Sequence, residues 1–287
     1  MWKCAPRDSL WSTFPSFITE FISTVLAEKR SIGIALSGGG ARGIAHIGVL
    51  QALEDNDCVP AVLSGASAGA ITGALYAAGR KPSEILDFVK QASLFKLFKV
   101  GLPYSGLTKL TYLRDKLADY ISEDSFEALQ KKLFVAIVNL NTGQCEMRSQ
   151  GRLFDVVTAS SSIPLVFQPV EIDGQLFVDG GLLDNMPVEP LKPHVDVTIA
   201  VNVMPQVEVP NKAIQNVFGI AQRCFDLGIL ANTLPNIQRC DLLVEPKEVH
   251  QFNIFQLNRY QQLYDIGYEA MMASIPALKA LLEQGVD

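Results

Sequence analysis

Two kinds of apolar pattern alternate along the chain. Residues 31–37, 60–64, 133–140 and the β-branched 195–203 are short, nearly continuous apolar runs bounded by turn residues, which predicts buried strands. Between them apolar residues recur every three or four positions, predicting helices over 44–53, 70–78, 82–92, 108–121, 154–162, 213–232 and 257–284. Pro164 ends the helix that begins at 154, and Pro276 is a candidate break in the last one. Residues 144–148 can pair back on 133–140 across Asn141-Thr142-Gly143, residues 171–178 form a hairpin with Asp173-Gly174 as its turn, and 242–245 is a short strand. Strand, glycine-rich turn, helix, strand at residues 31–64 is a βαβ unit, which implies parallel pairing with a right-handed crossover. The expected fold is α/β, a mostly parallel sheet flanked by helices. No repeat or linker divides it.

Two stretches stand apart. In residues 9–28, Leu10, Trp11, Phe14, Phe17, Ile18, Phe21, Ile22, Val25 and Leu26 form one wide apolar stripe at helical spacing. The expected boundary therefore sets an N-terminal amphipathic helix, 1–30, before a main domain, 31–287. A helix packed across that domain fits better than a membrane-surface helix, because the polar face carries Glu20 and Glu28 and no cation before Lys29. Residues 94–104, Leu-Phe-Lys-Leu-Phe-Lys-Val-Gly-Leu-Pro-Tyr, read as an irregular loop, equally suited to a lipid interface or to capping the core.

Composition narrows the classes. Of 287 residues 48% are hydrophobic and 19% charged, enough for a large core and far from disorder. The net charge of −6, with no block of Lys and Arg, argues against nucleic acid. Cys4, Cys58, Cys145, Cys224 and Cys240 are scattered, with no C-x-x-C and no histidine at ligand spacing, so no metal site is expected and the thiols read as reduced ones in a cytoplasmic protein. Pro15, Glu20 and Glu28 interrupt any N-terminal apolar run, so neither a signal peptide nor a membrane span is expected.

The chemistry concentrates in three stretches. Gly65-Ala66-Ser67-Ala68-Gly69 is a G-x-S-x-G between a strand and a helix. A serine at such a sharp turn projects its hydroxyl above the sheet edge beside the helix N-terminus, and the crowding demands small neighbours, here all Gly or Ala. Gly38-Gly39-Gly40-Ala41-Arg42-Gly43 fits the glycine fingerprint of dinucleotide binding, but the second strand ends in Ser64-Gly65 with no carboxylate for a ribose. The better reading is an oxyanion hole: consecutive glycines leave backbone N–H groups open to a developing negative charge. Arg42 either holds this loop, adds positive field, or caps a nearby carbonyl. Serine needs a base, and His46, His194 and His250 all lack a catalytic context. Asp179, in Val178-Asp179-Gly180-Gly181, is the stronger candidate, although an isolated Asp-Gly-Gly also reads as a turn cap.

Taken in order, these three motifs resemble the patatin-like phospholipase family: an oxyanion loop at Gly38-Gly39-Gly40-Ala41-Arg42-Gly43, a nucleophile elbow at Gly65-Ala66-Ser67-Ala68-Gly69, and a D-G-A/G motif at Asp179-Gly180-Gly181. Ala159-Ser160-Ser161-Ser162-Ile163-Pro164 and Asn185-Met186-Pro187 are smaller echoes, and the likeness runs from about residue 31 to 205. The resemblance implies a patatin-like three-layer architecture and a Ser67–Asp179 dyad without histidine. It also implies an acyl-enzyme on Ser67, Asp179 as base, oxyanion donors at Gly38, Gly39 and Gly40, elbow glycines Gly65 and Gly69, and no cofactor. The implied substrates are phospholipids, lysophospholipids or simple acyl esters, met in the cytoplasm or at a membrane surface. The alternatives are a thioesterase or acyltransferase on acyl-CoA-like substrates, and a nucleotide-binding regulatory module using the glycine loop.

Overall fold

The structure is a computed structural model that describes residues 30–91, 110–164 and 166–284. The predicted helix at 9–28 and the loop at 94–104 lie outside the described residues.

Five parallel strands form the centre of one sheet. β1 (Ile32–Leu36) is buried along its whole length, as are β2 (Val62–Gly65) and β7 (Val197–Val201). This is why these segments are uniformly apolar rather than alternating. β3 (Lys132–Asn139) continues the sheet beyond β2, and β8 (Leu242–Val244) continues it beyond β7. The far side of β3 turns antiparallel. β6 (Gln175–Asp179) pairs there and carries β5 (Val170–Ile172), while β4 (Gln144–Arg148) also pairs antiparallel with β3. The β5–β6 turn is the expected Asp173-Gly174, with φ of 52° and 75°, the left-handed pair of a type I′ hairpin. Strand order runs β5-β6-β3-β2-β1-β7-β8, so the chain leaves β1 towards β2 and later returns to its other side at β7. Crevices at the C-terminal ends of strands beside such a switch are where open α/β sheets bind ligands.

The larger core covers one sheet face. It joins α1 (Ala45–Asp55), α2 (Ala68–Ala77), α3 (Pro82–Gln91), α4 (Thr111–Tyr120), α5 (Leu153–Ser160) and α7 (Tyr260–Glu283) to the sheet, from Ile32 to Leu278. A smaller core, with Ala35, Val62, Met186, Leu191 and Ala200, lies apart from it and takes in Ile237 at the end of α6 (Val217–Ile237). Two helix ends differ from expectation. The Asn216 side chain accepts from the Gly219 amide at 2.8 Å, and this cap starts α6 four residues later than the periodicity does. α7 runs straight through Pro276, because Met271, Ile275 and Leu278 are buried on either side and packing outweighs one lost hydrogen bond.

α1 and α7 approach closely at two glycines. A Cβ at Gly48 would strike the Tyr264 carbonyl oxygen, and one at Gly267 would strike that of Ala45. Gly267→Val should therefore lower unfolding free energy by ~2–3 kcal/mol, read as a shifted urea midpoint, by the usual cost of overpacking. A midpoint matching wild type would mean that the helices are free to separate.

Candidate active site

The site is assembled at the C-terminal ends of β1 and β2. β2 runs into Ser67, whose φ of 52° and ψ of −121° are sparsely populated for a residue with a side chain. Such a conformation costs on the order of 1–3 kcal/mol and persists only where the surroundings enforce it. The flanking glycines allow the enforcement. A Cβ at Gly65 would sit 2.6 Å from the Gly69 carbonyl carbon, and one at Gly69 would run into the Leu36 carbonyl oxygen. α2 starts at the next residue, so its first amides point back at the serine.

Ser67 Oγ donates to Asp179 Oδ2 at 2.7 Å, and both residues are buried. Three consecutive residues of β3 set this distance. Val135 is in register with Gly65 of β2, and Ile137 with Asp179 of β6. Between them, the Ala136 carbonyl accepts from Ser160 Oγ at 2.7 Å, and that oxygen accepts the Ser67 amide at 2.9 Å. The other carboxylate oxygen, Asp179 Oδ1, accepts the Gly181 amide at 2.8 Å. Gly180 lies so close to β3 that a Cβ there would strike the Ala136 carbonyl. Burial dominates the carboxylate's titration. It pushes the pKa of Asp179 up to about 7, against the opposing pull of the bonds from Ser67 and Gly181.

The glycine loop divides its amides. Gly38 N–H lies 3.1 Å from both the side-chain and main-chain oxygens of Asn185, so it is already engaged. Gly40 has a left-handed φ of 57°, and a Cβ there would strike the Ile254 carbonyl. The amides of Gly39, Gly40 and Ala68 remain as the donors nearest Ser67 in the chain path that carry no protein acceptor among the described residues. Arg42 points away from this loop. Its guanidinium donates to the carbonyls of Phe252 at 2.9 Å and His250 at 3.3 Å, while the Ala41 amide donates to Ile254 at 2.7 Å. Of the three roles open to Arg42 in the sequence, the geometry fits the capping of nearby carbonyls, which also ties the loop to residues 250–252.

The histidines are engaged elsewhere. His46 Nε2 donates to the Ser37 carbonyl at 2.8 Å, and burial depresses its pKa to about 4, so the ring is neutral and fixes the chain ahead of the glycine loop. His194 stacks on Phe134 and meets Lys132, and His250 contacts the Lys247 carbonyl. Three polar residues escaped assignment from the sequence. Ser160 and Asn185 sit in the two minor motifs, which signal their neighbourhood but not their bonds. Asn232 carries no local signal at all. From α6 it accepts the Asn185 amide at 2.9 Å and donates to the Gly181 and Leu182 carbonyls, tying the loops of Gly38 and Asp179 together. Beside Ser67 a cleft of about 160 Å³ is walled by Ile47, Ile71, Phe88, Leu113, Ile163 and Phe167. Walls so apolar suit a hydrocarbon chain.

An elbow serine against a buried carboxylate, with glycine amides alongside, on a mostly parallel sheet, defines a nucleophile-elbow α/β protein. The sequence model of the patatin-like phospholipases matches residues 34–192, and the chain belongs to that family. An uncharacterized NTE family protein of Mycobacterium tuberculosis is 34% identical over 176 residues, covering 60% of this chain and 49% of its own length. The lysophospholipase nte1 of Aspergillus fumigatus is 29% identical over 184 residues, covering 61% of this chain and 12% of its own. The chain thus spans about half the length of the mycobacterial relative and a small part of the fungal one. Among solved structures, human GIVD cytosolic phospholipase A2 in complex with methyl gamma-linolenyl fluorophosphonate matches 90% of this chain and 59% of its own at 13% identity, with a TM-score of 0.42.

The raised pKa of Asp179 has a stability consequence. The folded value of about 7 lies above the ordinary carboxylate value, so the folded state holds the proton more tightly and stability falls as pH rises from about 4 to 7. Asp179→Asn removes that loss. It should raise unfolding free energy by roughly 1–4 kcal/mol at pH 8, with the gain fading towards pH 3. Urea titrations at the two pH values measure it; an equal effect at both would show that the carboxylate is not strained by burial.

Proposed function

We propose that this chain is a lipid acyl hydrolase that works through an acyl-enzyme on Ser67, with Asp179 as its only proton carrier. The observation that carries the reading is the 2.7 Å bond from Ser67 Oγ to the buried Asp179 Oδ2. Ser67 Oγ attacks the ester carbonyl carbon as its proton passes to Asp179. The carbonyl oxygen becomes an oxyanion facing the amides of Gly39, Gly40 and Ala68. Donors fixed in place before the charge appears are worth on the order of 3 kcal/mol each in the transition state. Collapse expels the alcohol, which leaves with the proton from Asp179. Water then attacks the acyl-enzyme, again giving its proton to Asp179, and the carboxylic acid departs as Ser67 is restored.

A carboxylate of ordinary pKa is a poor base for a hydroxyl. Burial that raises Asp179 to about 7 brings it close to the best value for work near neutrality. The apolar cleft beside Ser67 supports an acyl chain as the part of the substrate recognised, and membership of the patatin-like phospholipase family supports a phospholipid or lysophospholipid as its carrier. No helix of the described residues is long and apolar enough to cross a membrane, so the reading includes approach to the lipid from water.

Two measurements test this. On a soluble acyl ester, kcat/KM should rise with pH through an inflection near 7, because only ionised Asp179 accepts the serine proton. Ser67→Ala, Asp179→Asn and the double variant should each lose at least about 10³-fold, with the double scarcely worse than either single. His194→Gln and His250→Gln should retain activity. A fluorophosphonate should label Ser67 alone by peptide mapping. Losses that multiply in the double variant, or labelling that survives Ser67→Ala, would rule out the dyad.

A further inference from the structure

α6 is built inside out. Its inward positions carry polar residues, Asn232, Thr233 and Asn236 among them: Asn232 and Asn236 bond to Gly181 and Asp184 in the turn after β6, and Thr233 bonds back to the Ile229 carbonyl of its own helix. Its solvent-exposed positions carry no charge: Val217, Ile220, Cys224, Leu227, Gly228, Ala231, Leu234 and Pro235. Val217 is 84% exposed, and Ile220, Leu227 and Leu234 are each 45–50% exposed. Leaving out Gly228 and Pro235, the exposed residues are spaced 3, 4, 3, 4, 3, the seam of a heptad repeat over the full helix.

We infer that this stripe is the contact surface for a second copy of the chain, with the two α6 helices packed antiparallel about a two-fold axis. The stripe is complementary to itself in that arrangement. Centring the axis between Cys224 and Leu227 sets Ile220 opposite Ala231, Leu227 opposite Cys224, and Leu234 opposite Val217, a large side chain against a smaller one in every layer. Such self-complementarity is what an isologous interface requires. One flank of the seam is Ala221, Gly228 and Pro235, which leaves room for close approach. Nothing among the described residues calls for a glycine at 228, because a Cβ there would meet none of their atoms within 4 Å. A glycine inside a helix is destabilising, so its room is explained by a neighbour from outside. The four large side chains expose on the order of 400 Å², and with the small residues between them a two-fold pair buries on the order of 1,200 Å², the lower bound of a stable interface.

Gly228→Leu separates this from every other use of the stripe. It improves helix propensity and its Cβ meets no atom of the described residues within 4 Å, but it blocks a second helix. The full-length protein at micromolar concentration should sediment at twice the monomer mass. Gly228→Leu and Leu227→Glu should each sediment as monomers, with the thermal midpoint of the first unchanged or higher. The two Cys224 thiols would lie about 4–5 Å apart along the axes, so bismaleimidoethane should link them, and Cys224→Ser should abolish the link. A monomeric wild type overturns the inference, as does a Gly228→Leu dimer or a link that survives Cys224→Ser. Monomers whose binding to phosphatidylcholine vesicles rises in Gly228→Leu would assign the stripe to lipid. A dimer that forms only when residues 1–29 are removed would assign it to that segment.

Discussion

The separation of Ser67 and Asp179 is set by three consecutive residues of β3. Val135 fixes β2, Ile137 fixes β6, and Ala136 between them anchors Ser160, which holds the serine's own amide. The Ser67–Asp179 pair is thus located by backbone register, not by the packing of its side chains. Register is stiff in a sheet, since a slip of one residue turns every side chain to the other face. β6 runs antiparallel to β3, starting beyond the end of β2 and coming back towards it. It delivers its C-terminal residue, Asp179, alongside the C-terminal end of β2, and Gly180 and Gly181 then turn the chain away where no side chain would fit.

Around that pair the structure opposes solvation at each point that chemistry needs. Ser67 is held in an uncommon backbone conformation, and Asp179 is buried with no cation beside it among the described residues. Both are costs, and the large core on the helical face of the sheet, from Ile32 to Leu278, offsets them. The polar side of α6 does the fine work. Asn232 and Asn185 connect the loops after β1 and β6, so the glycine amides and the carboxylate move together. A helix that spends its polar residues inward has only apolar ones left to show outside.

The sheet and most helices were legible because their periods are clean and their strands are buried on both faces. The three glycine-bearing motifs were legible for a different reason: a close approach of backbone to backbone admits few residue types, and glycine marks it in any sequence. Hydrogen bonds over long separations left no such mark. Nothing in the sequence near Gly38 shows that its amide is taken by Asn185, so the glycine loop read as three equivalent donors. The start of α6 was misplaced because Asn216 acts through one capping bond that apolar periodicity does not register. Pro276 was overweighted for the converse reason, since the burial around it comes from α1, more than two hundred residues earlier.

Arg42 and Ala41 draw their partners from residues 250–254, close to the end of the chain. The glycine loop is fastened by residues about two hundred positions further along the chain. During synthesis, β1, the elbow and the carboxylate all emerge before the carbonyls that hold the glycine amides in line. A fragment stopped short of residue 250 keeps Ser67 and Asp179 but lacks the clasp on its glycine loop. Closing so long a loop is among the slower and more entropically costly steps of folding. The glycine loop thus takes its final shape only after a segment about two hundred residues further along has been made and has folded back onto it.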